Sequence, residues 1–337
     1  MMNPVIFTQC QANPQGCARV NPQSKTVSVF GFLPVPSPNC LGRFAAHLLL
    51  CIAAIQPDTQ AGEAAAEAFR PIVYATEQAK KILQCDAQGK VVWEYPAEMA
   101  RDVWQLPNGN VLFCYNDQYN SKSNNNPSGV LEVTVAKAVI FHFKSTGQVW
   151  SCQRMADGQT LVGAASQGKL LIVNPTGTVT REIRLKSPGG HSCIRNARAL
   201  ANGHFLVAEE GAKTVREYDL ESKIVWEKTV EFPVYSAIRQ PNGNTLICGK
   251  TAILEMDPDG LVQWKIQAQD IPEIGVRWFA GMQQLPDGGI FVCNAGGKVP
   301  FVEFGPDHRV RWRAPAGLTF PMGHGIQRLD IRGAPLK

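Results

Sequence analysis

The chain has 337 residues, 45% of them hydrophobic and 18% charged, with 33 Lys and Arg against 28 Asp and Glu for a net charge of +5. A chain of this composition buries a large core, which excludes disorder along its whole length. The charge is small and no basic run is interleaved with aromatics, so nucleic acid is excluded as a partner.

In chain order, about forty residues rich in Pro, Asn and Ser come first. They precede Arg43, an apolar run over 44–55 and small residues at 64–66. This is the order of a secretory signal peptide, and the run is too short to span a bilayer. We therefore expect residues 1–66 to be a leader, an unstructured extension plus a signal peptide, and 67–337 to be a single domain. The mature protein is then secreted or periplasmic, without an integral membrane segment. Four of the ten cysteines, Cys10, Cys17, Cys40 and Cys51, fall in this leader.

From residue 72 the chain alternates two phrases. One is "LPNGNVLF" at 106–113, with the variants "MADGQTLV", "LANGHFLV", "QPNGNTLI" and "LPDGGIFV". Their glycines, Gly109, Gly158, Gly203, Gly243 and Gly288, are 49, 45, 40 and 45 residues apart. That is the period of a propeller blade, with no amphipathic helix between copies. Asn-Gly and Asp-Gly between apolar runs mark hairpins. The second phrase, "DAQGKVVWEY", recurs around Trp226, Trp264 and Trp312, with Phe141 and Arg181 at the Trp position of two weaker copies. Each unit reads as four antiparallel strands, the innermost ending at the Asn-Gly turn and the outermost carrying the Trp.

The first outer-strand phrase, 72–96, lacks a preceding Asn-Gly strand, while "GHGIQRLDIRG" at 323–333 stands alone and Gly333 falls 45 residues after Gly288. The sequence thus predicts an all-β, six-bladed propeller in which a strand at 325–331 pairs beside 72–75. Such closure removes sheet edges. Cys114, Cys248 and Cys293 share one strand position in separate blades, too far apart for disulfides, and are expected to be buried thiols. No Cys/His cluster has zinc spacing, so no metal site is expected.

These alternating phrases resemble the PQQ-like repeat group of β-propellers, which includes small secreted bacterial members of unassigned role. The resemblance covers roughly residues 68 to 337 and implies the blade fold; it assigns no activity.

Inter-blade connections and the insert at 116–129 are the long loops, and they share one face. Where the innermost strands start on that face, one column holds Arg101, Trp150, Arg195, Tyr235, Ala280 and His324. The next holds Asp102, Ser151, Asn196, Ser236, Gly281 and Gly325. These predict two stacked rings at a channel mouth, joined by His191 and Arg277. Guanidinium forks match carboxylate, sulfate or phosphate, and Trp and Tyr stack on rings. The candidate ligand-binding residues are Arg101, Asp102, Trp150, Arg195, Asn196, Tyr235, His324 and His191. The opposing expectation is a structural plug, with each guanidinium paired to Asp102, Glu98 or a backbone carbonyl.

Several functions fit. The first is a binding or scaffold module, probed by a small anionic aromatic or sugar-acid ligand or by an extracellular protein or glycan, in a monomer whose cofactor is unknown. A group-transfer enzyme resembling bacterial arylsulfotransferases would use His324 or His191 as nucleophile, with Arg101 and Arg195 stabilising the sulfuryl oxygens. A quinone-cofactor protein follows from the PQQ-like resemblance, although an adjacent Cys pair and eight blades are lacking. A lactonase-like calcium site would draw on Asp102, Asn196 and Glu98.

Overall fold

The computed structural model describes residues 68–120, 125–333 and 335–337. The segment 1–66, expected to be a leader with a signal peptide, lies outside the described residues, as does the centre of the 116–129 insert. The remainder forms six four-stranded antiparallel sheets. Blade one comprises Ile72–Thr76, Lys81–Cys85 and Val91–Pro96, with Gly323–Arg328 as its innermost strand. Blades two to six follow in order, their innermost strands being Val103–Gln105, Val149–Arg154, Asn196–Ala199, Val234–Arg239 and Phe279–Gln284. The closing strand pairs antiparallel with the first, Ile72 opposite Arg328 and Tyr74 opposite Ile326. The pairing begins at Gly323, two residues earlier than the sequence predicts. Among the described residues no helix is long and apolar enough to cross a membrane.

Burial follows position within the blade. Second strands such as Val111–Asn116, Thr245–Gly249 and Ile290–Asn294 are buried at every residue. Each is covered on both faces by neighbouring blades, so its sequence is a continuous apolar run. Outer strands meet solvent on one side, and Ile224–Thr229 alternates half-buried with exposed. That is the period-two pattern of a half-covered strand. All six described cysteines are free and buried. Two of them tie blades together, Cys248 Sγ donating to Phe279 O at 3.4 Å and Cys293 Sγ to Gly323 O at 3.3 Å.

The turns after the innermost strands use Asn or Asp in a different way from a two-residue turn with positive φ. Only the glycine is left-handed, with Gly109 at φ 85° and Gly243 at 91°. The residue before it accepts the amide two positions on: Asn108 Oδ1 from Asn110 and Asn242 Oδ1 from Asn244, at 3.0 and 2.9 Å. The same device explains the Asp of the second phrase, where Asp86 Oδ1 takes the amides of Gln88 and Lys90, each at 2.9 Å. A side-chain acceptor that mimics a turn carbonyl is why Asp and Asn open these turns.

Candidate functional site

The innermost strands do not run straight into their partners. In blades three, five and six the register slips between Val149 and Ser151, Val234 and Ser236, and Phe279 and Gly281. Trp150, Tyr235 and Ala280 are therefore the extra residues of β-bulges, and the closing strand slips likewise around His324 and Gly325. A bulge re-aims the side chain of its extra residue. This is how a column of strand residues comes to face the channel mouth.

The column closes into a ring of contacts that visits every blade. The Arg101 guanidinium lies 4.3 Å from the centroid of Trp150. Arg195 lies 6.0 Å from the same ring and 5.5 Å from Tyr235. Tyr235 is 6.5 Å from Trp278, and Trp278 stacks on His324 at 6.3 Å. Glu77 completes the circuit, accepting from Arg101 at 2.8 Å and meeting His324 Nε2 at 2.9 Å. In blade six the column residue is Ala280, and Trp278, two residues earlier, supplies the aromatic ring, with Arg277 stacked on it at 4.6 Å. Arg101, Trp150, Arg195, Tyr235 and His324 thus lie together. His191 joins them through Arg195 Nη2 at 3.0 Å and Tyr119 Oη at 2.9 Å.

The second column is placed elsewhere. A Cβ on Gly281 would stand 2.5 Å from His324 O, and one on Gly325 would stand 2.9 Å from Arg101 O. Ser151 Oγ exchanges hydrogen bonds with the Ala197 backbone at 3.0 and 3.1 Å. These positions face the neighbouring blade, which is why they are small. Asp102, 3% exposed, reaches Ser151 Oγ and the Cys152 amide in blade three and takes both ends of Arg198 in blade four, at 2.7 and 3.1 Å. It acts as an internal clasp beneath the ring. Asn196 is also buried, and its Oδ1 has no partner among the described residues. Glu98 pairs with Lys80 at 3.1 Å, away from Arg101.

Lys337 lies on the inner side of blades two and four. Its Nζ donates to Val103 O and lies 4.2 Å from the Trp104 ring and 4.0 Å from Asp102 Oδ1, while Arg198 Nε donates to Lys337 O at 3.0 Å. Burial pushes the Lys337 ammonium down to about 7, with Asp102 opposing the shift.

Sequence reading missed the two carboxylates that answer the arginines, Glu77 for Arg101 and Glu210 for Arg195. Both sit in loops between second and third strands, and both open the phrase E-x-A-K, as "EQAK" at 77–80 and "EGAK" at 210–213. Lys80 and Lys213 share a left-handed φ of 54° and 53°. That recurrence is the signal that could have found them. Burial pushes Glu77 up, but the hydrogen bond and charge of His324, then Arg195 and His191, hold it below the usual carboxylate range. Burial, then the Glu210 charge, pushes the Tyr235 phenol up to about 12.

The ring leaves several of its donors unmet. Arg101 Nε, Arg195 Nη1, Trp150 Nε1 and Trp278 Nε1 are buried donors without a partner among the described residues. An unmet buried donor costs about 1–3 kcal/mol. Four such donors surround one mouth.

No family model and no curated protein matches the chain. Among solved structures it is similar to a protein of unknown function from Bacteroides caccae, at 20% identity and a TM-score of 0.65 over 80% of this chain and 99% of that one. It is similar to a catalytically inactive virginiamycin B lyase from Staphylococcus aureus with quinupristin, at 11% identity and a TM-score of 0.53, covering 77% and 89%. A streptogramin B lyase matches at 13% identity and a TM-score of 0.55, covering 77% and 86%. At these identities what the chain shares with them is the propeller fold.

Proposed function

We propose that this propeller is a binding module whose mouth takes a small ring-bearing acid, of the sugar-acid or aromatic-acid class. The propeller fold with a neighbour of unknown function is consistent with a binding or scaffold role. What carries the reading to a ligand class is the set of unmet buried donors within a closed circuit of aromatic and guanidinium groups. Around the circuit three cations, Arg101, Arg195 and Arg277, face two carboxylates, Glu77 and Glu210, which leaves one positive charge for one acidic group. The half-buried faces of Tyr235 and Trp278 suit a ring. On motif resemblance the blades belong with the PQQ-like repeats. The same reading places the mature protein outside the cytoplasm, as the segment at 43–66 suggests.

Thermal shift and calorimetry with D-glucuronate and 4-hydroxybenzoate test this. A ligand of the native state raises the melting point. Arg195→Lys keeps the charge facing Glu210 but loses the planar fork, and is expected to weaken binding about tenfold with little change in melting point. No saturable binding of either acid, or full affinity in Arg195→Lys, overturns the reading.

A group-transfer activity is the second reading, and one observation favours it: among the described residues His324 is held by Glu77 through Nε2 and not through Nδ1, an arrangement that orients the imidazole. His191 has both ring nitrogens engaged, by Tyr119 and Gln148 on one side and Arg195 on the other. His324 is therefore the nucleophile to test, by turnover of an aryl sulfate with a phenol acceptor in wild type and His324→Ala.

A further inference from the structure

Four of the six seams between blades follow a rule on the face of the tight turns; at the seam of blades five and six Glu255 instead accepts from Trp264 Nε1 and Asn244 Nδ2 of its own blade. An outer-strand aromatic stands opposite a polar third-strand residue, as in Glu132 with Phe141, Glu217 with Trp226 and Glu303 with Trp312. That polar residue meets the end of the next blade's innermost strand: Glu132 with Arg154 at 2.6 Å, Glu217 with Arg239 at 2.8 Å, Glu303 with Arg328, and Gln84 with Gln105. The aromatic covers this pair and fastens to the next blade, Trp93 Nε1 donating to Val135 O and Trp226 Nε1 to Pro258 O, both at 2.8 Å.

At the seam of blades three and four all three members change. The polar residue is Ile172, the facing residue is Ala199, and the Trp position is Arg181, paired opposite Ile172. Arg181 Nη1 donates to Leu220 O at 3.2 Å, the turn carbonyl equivalent to Val135 O and Pro258 O. The fastening survives while the ring and the ion pair beneath it are gone. In their place is a cavity of about 740 Å³ floored by Ile172, Phe205, Leu200 and Met155. That is the size and apolar character of small-molecule sites. The seam of blades six and one also holds a cavity, of about 520 Å³, but its walls are Asp287, Glu303, Arg311 and Arg328, already matched in ion pairs.

We propose that the seam of blades three and four is a second ligand site, distinct from the mouth, for a planar aromatic acid. Its ring takes the place that Trp holds at other seams, and its carboxylate takes the exposed Arg181 guanidinium. Arg181 makes one hydrogen bond among the described residues and keeps further donors of its fork. Arg154 on the rim is occupied by Glu132, and Asp157 by the Gln159 amide and side chain at 3.0 and 2.8 Å, so Arg181 is the charge that addresses a ligand.

Indole-3-acetate, titrated by calorimetry into the full chain with the mouth presaturated by D-glucuronate, which lacks the planar ring, tests this, with indole as comparison. Saturable binding is expected, with indole about tenfold weaker for want of the charge-assisted pair. Arg181→Trp rebuilds the seam of the other blades and is expected to raise the melting point and abolish binding. Ala199→Arg closes the cavity from the opposite wall and is expected to abolish binding independently. Arg195→Lys is expected to leave this affinity unchanged, so failure at the mouth and failure at the seam are told apart. The proposal is overturned by absence of saturable binding at millimolar indole-3-acetate, by equal affinity for indole, or by binding that persists in both cavity variants.

Discussion

Replacing Asp102 with Ala removes the acceptor that joins three blades. In the native protein its carboxylate takes two donors from Arg198 and one each from Ser151 and the Cys152 amide. Arg198 is 5% exposed and Lys337 Nζ stands 4.0 Å from the same carboxylate. The variant therefore leaves a buried guanidinium beside a buried ammonium with no anion between them. Breaking one side of a buried pair costs about 3–5 kcal/mol. For a domain of this size each kcal/mol moves the melting point by about 2–4 °C, so a fall of about 6–20 °C is expected. The assay is a thermal and urea melt of Asp102→Ala, Arg198→Met and the double variant. The double variant is expected to recover most of the loss, because it removes the stranded charge. A single-variant loss below about 1 kcal/mol, or double-variant losses that simply add, would refute the clasp. Ligand affinity at the mouth is the accompanying control. If Asp102 instead contacted ligand, affinity would fall while stability held.

Gly281→Ala places a methyl 2.5 Å from the His324 carbonyl, against backbone that cannot rotate away. A loss of about 1–3 kcal/mol is expected by urea denaturation. Lys337→Met tests the buried ammonium through pH. The folded Lys337 sits near 7 and the unfolded side chain near its ordinary value, so between these limits the unfolded chain binds more protons and its contribution to stability rises with pH. The advantage of Lys337→Met over wild type is therefore expected to be greatest below pH 7. Above pH 7 it should shrink by up to about 1.4 kcal/mol per unit. A difference that is flat from pH 6 to 9 would show that the ammonium is solvated.

The blade count and the closing strand were legible because the Asn-Gly and Asp-x-x-Gly turns are local devices, each satisfied within five residues. The mouth column was legible for the same reason, since it lies at a fixed offset from those turns. Its bulges carry no residue signature of their own, so Ala280 was aligned where Trp278 in fact stands. Asp102 and Asn196 lie in blades two and four, whose innermost strands pair without a register shift, and Asp102 reaches the adjacent blades through Ser151, Cys152 and Arg198, contacts that no local pattern encodes. Glu77 was missed because its partner Arg101 lies on a different blade, and Glu210 because it meets Arg195 of its own blade only once the strands are paired. The seam at Ile172, Ala199 and Arg181 was visible only in part. Arg181 stood out in its column, while its two companions acquire meaning once the sheets are set side by side.

Because the innermost strand of blade one comes from Gly323–Arg328, the strand Ile72–Thr76 is made long before its partner. On a ribosome adding about 5–20 residues per second, the intervening stretch takes about 12–50 s. Throughout that interval an apolar β-edge, "IVYAT", faces the cell with its ladder unsatisfied. Such an edge is a template for pairing with other nascent chains. Polysome crowding, temperature and holdase supply should therefore govern the yield of this protein more strongly than the stability of the finished ring.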